Sequence, residues 1–166
     1  IVMICTAARG GMRAMVDSYE MDGLFSRWNI RLLFTHNEGG IIGRLVLAGR
    51  AYLALLGMLV TGQVRLLHCH TAMRGSFWRK SIFSLSALAF RVPVVFHLHG
   101  SEMKSFVSSQ PKILRRLIGW ILEKQTRVIV LSTSWENYVR SIAPRARVVV
   151  LPNYVRLPDL ATRTPS

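Results

Sequence analysis

Among the residues able to do chemistry, two histidine pairs come first: His68 and His70 in "HCH" (68–70), and His97 and His99 in "HLH" (97–99). Each stretch ends an apolar run that reads as a strand, so the two histidines of a pair share one face and the second lies nearer the strand end. An imidazole so placed, with an unperturbed pKa of about 6.5, donates to a sugar hydroxyl or a phosphate oxygen. Four histidines also raise the question of a metal. The sequence argues against one, because zinc sites commonly mix thiolates or carboxylates with imidazole and one histidine of each pair sits deeper in its strand. His68 and His97 are therefore expected to be packed core imidazoles hydrogen-bonded to backbone. His70 and His99 are expected to meet a ligand.

Three further groups of residues carry weight. Gly100, Ser101 and Glu102 follow "HLH" directly; the glycine lets the backbone turn away beside the ring, while Glu102 either accepts from a sugar hydroxyl or caps the next helix. Gly10 and Gly11 open the first helical segment, where unpaired backbone N–H groups favour an anion or the glycines simply make a tight turn. They are not a dinucleotide fingerprint, since a third spaced glycine is missing and the second strand ends in His36 and Asn37 instead of an acid. No Gly-Lys-Ser/Thr of a phosphate loop exists either. "MRGSFWRKS" (73–81) contributes Arg74, Arg79 and Lys80 with Phe77 and Trp78 between them. One short cluster of this kind at a helix start fits a phosphate-bearing ligand better than nucleic acid, with a solvated helix end as the alternative for Arg79 and Lys80.

Something must hold these residues together. Six apolar runs, at 1–7, 30–36, 64–70, 92–99, 127–132 and 147–152, alternate with segments of helical pattern. Runs apolar on both faces are strands covered on both sides, and the intervening segments have room for crossover helices. The expectation is an α/β, Rossmann-like, doubly wound and mostly parallel six-stranded sheet. In such a sheet the ligand crevice lies outside the carboxyl ends of the strands, where strand order reverses. With the first strand between the second and third, "TAARGGM" and "HCHTAMRGS" flank that crevice. Two helices are legible in detail. At 111–124 the stripe Ile113, Leu114, Leu117, Ile118 and Ile121 should face the sheet. The segment 43–61, apolar nearly all round except Arg44 and Arg50, reads as a crossover helix buried by its neighbours, or else as a helix resting on a membrane.

Composition narrows the class. A chain of 166 residues suits one domain. Its two cysteines, Cys5 and Cys69, make no disulfide framework and suit a reducing compartment, the cytoplasm; as neighbours on adjacent strands they should be buried, reduced thiols. Lysine and arginine outnumber acids 22 to 8, for a net charge of +14, so the surface attracts phosphates, anionic lipid or nucleic acid. The longest apolar stretch, from Ala51, falls short of the roughly 20 residues that span a bilayer, and no leader precedes the first strand. The chain reads as a piece of a longer protein.

Taken together, the Gly10-Gly11 loop, "HCHTAMRGSFWRK", "VVFHLHGSE", "VIVLSTSW" and the closing "VVVLPNYV" resemble the N-terminal, acceptor-side domain of a family-4-type glycosyltransferase with the two-domain GT-B fold. "RGSFWRKS" is similar to the bacterial exopolysaccharide and capsule subgroup. The resemblance implies transfer of a sugar from a nucleotide-sugar to a glycan or lipid-linked acceptor, at the inner face of the plasma membrane, with retention, no cofactor and no essential metal. It makes His99 the catalytic histidine that reaches the transferred sugar. Gly10, Gly11, His70, Arg74, Gly100, Ser101 and Glu102 become acceptor- or phosphate-binding, and Asn153 opens a linker at 153–166 after a domain at 1–152. No two of the glutamates at 20, 38, 102, 123 and 136 are eight apart, so the donor-holding pair of the second domain is absent. A fragment that folds but is inactive alone is the expectation. Two rival readings remain at this point: a stand-alone basic module binding nucleic acid or anionic membrane, and a small nucleotide-binding regulator.

Overall fold

A computed structural model describes residues 1–100 and 102–153. All six strands form: β1 (Val2–Cys5), β2 (Arg31–Phe34), β3 (Leu67–Thr71), β4 (Val94–Leu98), β5 (Arg127–Val130) and β6 (Val148–Val150). They build one sheet in the order β2-β1-β3-β4-β5-β6, with every neighbouring pair parallel. The described helices are α1 (Gly11–Met21), α2 (Leu24–Arg27), α3 (Ile41–Val60), α4 (Gly75–Ala89), α5 (Met103–Ser108), α6 (Lys112–Lys124) and α7 (Thr133–Ile142). This is the expected Rossmann-like α/β architecture, and the sheet expected to be mostly parallel is wholly parallel.

Strand order decides where the helices go. Crossovers between parallel strands are right-handed, so the direction of each step along the sheet selects the face its helix covers. The step from β1 to β2 runs one way; the four later steps run the other. Accordingly α1 and α2 pack on one face, where Met3, Cys5 and Val16 form a small cluster with Met12, Tyr19 and Phe25. Helices α3 to α7 supply the large core on the opposite face, around Leu67, Cys69, Phe77, Phe96, Leu98 and Val128.

Three expectations need correction. Cys5 and Cys69 are buried on neighbouring strands and free, but Cys69 is in register with Ile4, which puts the two thiols on opposite faces. The segment read as a buried crossover helix is instead mostly exposed: only Ala51, Leu55 and Leu59 of α3 are buried, while Ile41 is 73% and Ile42 78% accessible. It lies over the outer end of the sheet against α4, to which Tyr52 is tied by a 2.9 Å hydrogen bond to Ser86, with no further helix beyond it among the described residues. In α6 the buried positions are Ile118, Gly119, Ile121 and Leu122, while Ile113 and Leu117 are exposed. Gly119 accounts for the rotation, because a Cβ there would collide with the Ile142 carbonyl oxygen of α7. Contact with α7 turns the helix away from its simplest apolar stripe.

Candidate functional site

A cleft of about 540 Å³ opens at the reversal point between β1 and β3. Its floor comes from the strand ends, through Thr6 and His36; its walls come from α3, with Ile41, Leu45 and Ala48, and from the start of α4, with Gly75 and Ser76. Three helices begin here, α1, α3 and α4, and none has a side-chain cap or an acidic residue in its first turn. Their unpaired N–H groups and dipoles add to a positive potential. Gly10, at φ 146, starts α1 in a conformation open only to glycine.

Arg44, Arg79 and Lys80 also line the cleft. The Arg79 Nε is buried and lacks a hydrogen-bond partner among the described residues. Lys80 is fully buried and its ammonium donates to the His70 carbonyl oxygen; burial pushes its pKa down to about 8. His36, within 3.4 Å of the Thr6 hydroxyl, is held below its ordinary pKa by burial and then by the charges of Arg79, Arg44 and Lys80. One carboxylate is at the rim, where Glu38 accepts from the Arg9 backbone N–H at 3.2 Å. A wall of hydrocarbon with basic groups at one end suits an amphiphilic anion.

On the face of the sheet opposite α3 and α4, His68 and His70 of β3, His97 of β4 and the following His99 gather on the α1 side. His70 pairs with His97 in the strand register, and ring centroids lie 4.2 Å apart for His68 and His70, 5.2 Å for His70 and His97, and 4.1 Å for His97 and His99. A 3.0 Å hydrogen bond joins His70 Nδ1 to His99 Nε2. Burial favours the neutral form of all four: it lowers His68 and His99 to about 4 and His97 to about 2 and holds His70 well below the usual range, and the crowding of the imidazoles on one another, with the Lys80 ammonium beside His99 and His70, adds to the shift for His70, His97 and His99.

A family model for the glycosyl transferase 4-like domain matches residues 2–154. The chain belongs to this family. No curated protein matches it.

Within this glycosyltransferase domain four of the residues expected to form the site are brought together in two pairs, but none of the expected residues that are described lines the cleft. His70 bonds His99; Arg74, at φ 58, meets Glu102 at 3.3 Å across the loops after β3 and β4. Gly10 and Gly11 flank the cleft between Ala8 and Met12, which do line it. Gly100, at φ 102, turns the chain away from His99 as expected. Asn153 is exposed beyond β6, and Ser101 lies outside the described residues. The histidines depart from expectation. His97 and His99 are nearly equally buried, at 1% and 6% accessible, and both ring nitrogens of His97 lack the backbone hydrogen bond foreseen for it. The cleft is lined by Lys80 and Arg79, for which the sequence left a solvated helix end open. Helical spacing carried the signal: Phe77, Lys80, Ser81 and Ser84 recur at i, i+3, i+4 and i+7 and are all buried.

Proposed function

We propose that this glycosyltransferase domain binds the acceptor, a lipid-linked glycan precursor bearing a phosphate, and receives a sugar from a nucleotide-sugar donor held by a second domain. The observation that carries the reading is the cleft itself. Its apolar wall, Ile41, Leu45 and Ala48, belongs to a helix whose outer side is exposed hydrocarbon, and its basic end presents the unpaired Arg79 Nε beside Lys80. Although the apolar stretch read from Ala51 is too short to span a bilayer, the helix extends back to Ile41 and α3 as a whole is long and apolar enough to cross a membrane by length and composition, yet its inner side packs on the core. A helix of this kind lies in the interface with its apolar side among the acyl chains, which would place the cleft mouth at the level of a lipid phosphate. The +14 charge favours an anionic leaflet. Cytoplasmic location at the inner face of the plasma membrane, a role in bacterial cell-surface polysaccharide synthesis, retention of anomeric configuration and His99 as the histidine nearest the sugar rest on the sequence resemblance.

The test uses a short-chain prenyl phosphate and the matching prenyl alcohol. The phosphate should bind at least tenfold tighter, and Arg79→Gln should remove that preference. Equal binding of phosphate and alcohol sinks the proposal. In vesicle sedimentation, Ile42→Asp and Leu45→Asp should release the protein from phosphatidylglycerol vesicles, since both positions are exposed and have no core contact to lose.

A further inference from the structure

The histidine cluster has ligands left over. Four ring nitrogens, His68 Nε2, His70 Nε2, His97 Nδ1 and His97 Nε2, are sealed from solvent and have no hydrogen-bond partner among the described residues. A buried polar atom without a partner is costly, and four on three stacked rings is a concentration that packing alone does not explain. One ligand atom from each of His68, His70 and His97 falls within 4.8 Å of the other two. Bonds of about 2.0–2.1 Å to a tetrahedral dication need such atoms about 3.3 Å apart, so modest ring rotations close the gap.

The hydrogen bond between His70 and His99 supplies an independent argument. A metal-bound histidine characteristically donates its second ring N–H to a fixed acceptor, which sets the tautomer and aims the other nitrogen. His70 Nδ1 meets His99 Nε2 at 3.0 Å. If His70 is the donor, its lone pair sits on Nε2, the buried nitrogen that has no partner. His70 is thereby oriented as a ligand.

We propose that His68, His70 and His97 bind a transition-metal dication of the zinc class, with His99 as the positioning residue that orients His70. The donor set is all imidazole, which suits zinc, cobalt or nickel and excludes magnesium and calcium, ions that want oxygen. A cavity of about 360 Å³ bordered by Met3, Tyr19, Leu24, His68 and Leu151 adjoins the cluster and gives the ion an access route and room for a fourth ligand from solvent. The Lys80 ammonium, on the His70 carbonyl oxygen, opposes a second cation, a cost that the three imidazole ligands must outweigh. The ion would clip β3 to β4 on the face that carries α1. This goes beyond the proposed function and does not depend on it.

The experiment is a titration of the chelator-stripped full chain with zinc chloride, and with magnesium chloride as the contrasting ion. One equivalent of zinc should bind and raise the thermal midpoint, and magnesium should do neither. His68→Ala and His97→Ala should each weaken zinc binding at least 100-fold, and His99→Ala by about 10- to 100-fold. Because these variants could fold poorly, X-ray absorption on the zinc-loaded wild-type chain provides a second reading: three imidazoles in the zinc shell support the site. No zinc uptake, sulfur or purely oxygen ligation, or undiminished binding in natively folded His68 and His97 variants overturns it.

Discussion

The two faces of the sheet are made from alternate residues of the same strands and have opposite characters. On β4, Val94, Phe96 and Leu98 enter a continuous hydrocarbon core beneath α4, α5 and α6. Val95 and His97, one position along, point with the following His99 to the face where only α1 and α2 pack among the described residues, and β3 repeats the split with Leu67 and Cys69 against His68 and His70. The cause is topological: one crossover of five runs toward β2, so right-handedness leaves one face with a single crossover connection. The teaching is general. In a parallel sheet whose strands should read apolar on both sides, polar residues at every second position mark the face that the crossovers do not seal.

Acid should break this difference first and hardest. The histidine face folds with neutral rings, whereas the unfolded chain takes up protons at about pH 6.5. A depressed folded pKa means stability that is complete above pH 6.5 and lost as pH falls through the folded value. His68, held at about 4, accounts for about 3 kcal/mol at about 1.4 kcal/mol per pH unit, and its neighbours add to it. Urea unfolding of the metal-free chain should lose several kcal/mol between pH 6.5 and 4. A flat profile there would show that the rings are already open to water.

Next in size is a pair of substitutions at adjacent residues. Phe96→Ala should cost about 3–5 kcal/mol, the usual loss for emptying a sealed aromatic site. His97→Leu should do the reverse in the metal-free chain, gaining about 1–3 kcal/mol by removing two buried nitrogens that have no partner. Chemical denaturation of both variants at pH 7 compares the faces directly. A large loss in His97→Leu would mean that the imidazole is satisfied by something the fold supplies.

Much of this was legible in the sequence, for identifiable reasons. Strand existence follows from the apolar runs and parallel pairing from the crossover lengths; the usual doubly wound ordering set β1 between β2 and β3, and the reversal-point rule then located the cleft between the loops carrying Gly10 and Arg74. What sequence could not supply was the facing partner. "HCH" and "HLH" are each readable, but that they lie in register, His70 opposite His97, is a property of the pairing of β3 with β4. The position of α3 was likewise hidden, since an apolar helix looks the same whether its neighbours cover it or not. For α6, the contact of Gly119 with Ile142 lies between elements 23 positions apart and overrides the local stripe. Lys80 was within reach, because its helical spacing from Phe77 was available; charge alone suggested the surface.

The smallest effect falls at Lys80, the residue of the apolar face that carries a charge. Lys80→Met keeps the length of the side chain while removing a buried ammonium, which relieves desolvation but leaves the His70 carbonyl oxygen without its donor; the two effects oppose, and stability at pH 7 should change by about 1 kcal/mol or less. The pH dependence separates them. With its folded pKa lowered to about 8, the wild-type lysine releases its proton earlier folded than unfolded, so stability rises as pH passes 8. Above about pH 9 the Cys69 thiol, pushed up to about 12 by burial, works the other way, because the unfolded thiol ionises and the folded one does not. Between pH 8 and 9 the wild type should therefore gain roughly 1 kcal/mol that Lys80→Met lacks. Prenyl phosphate binding should fall in the variant at the same time. A variant that follows the wild-type pH profile, or binds the phosphate equally well, would show that Lys80 is already neutral and serves the apolar face as hydrocarbon alone.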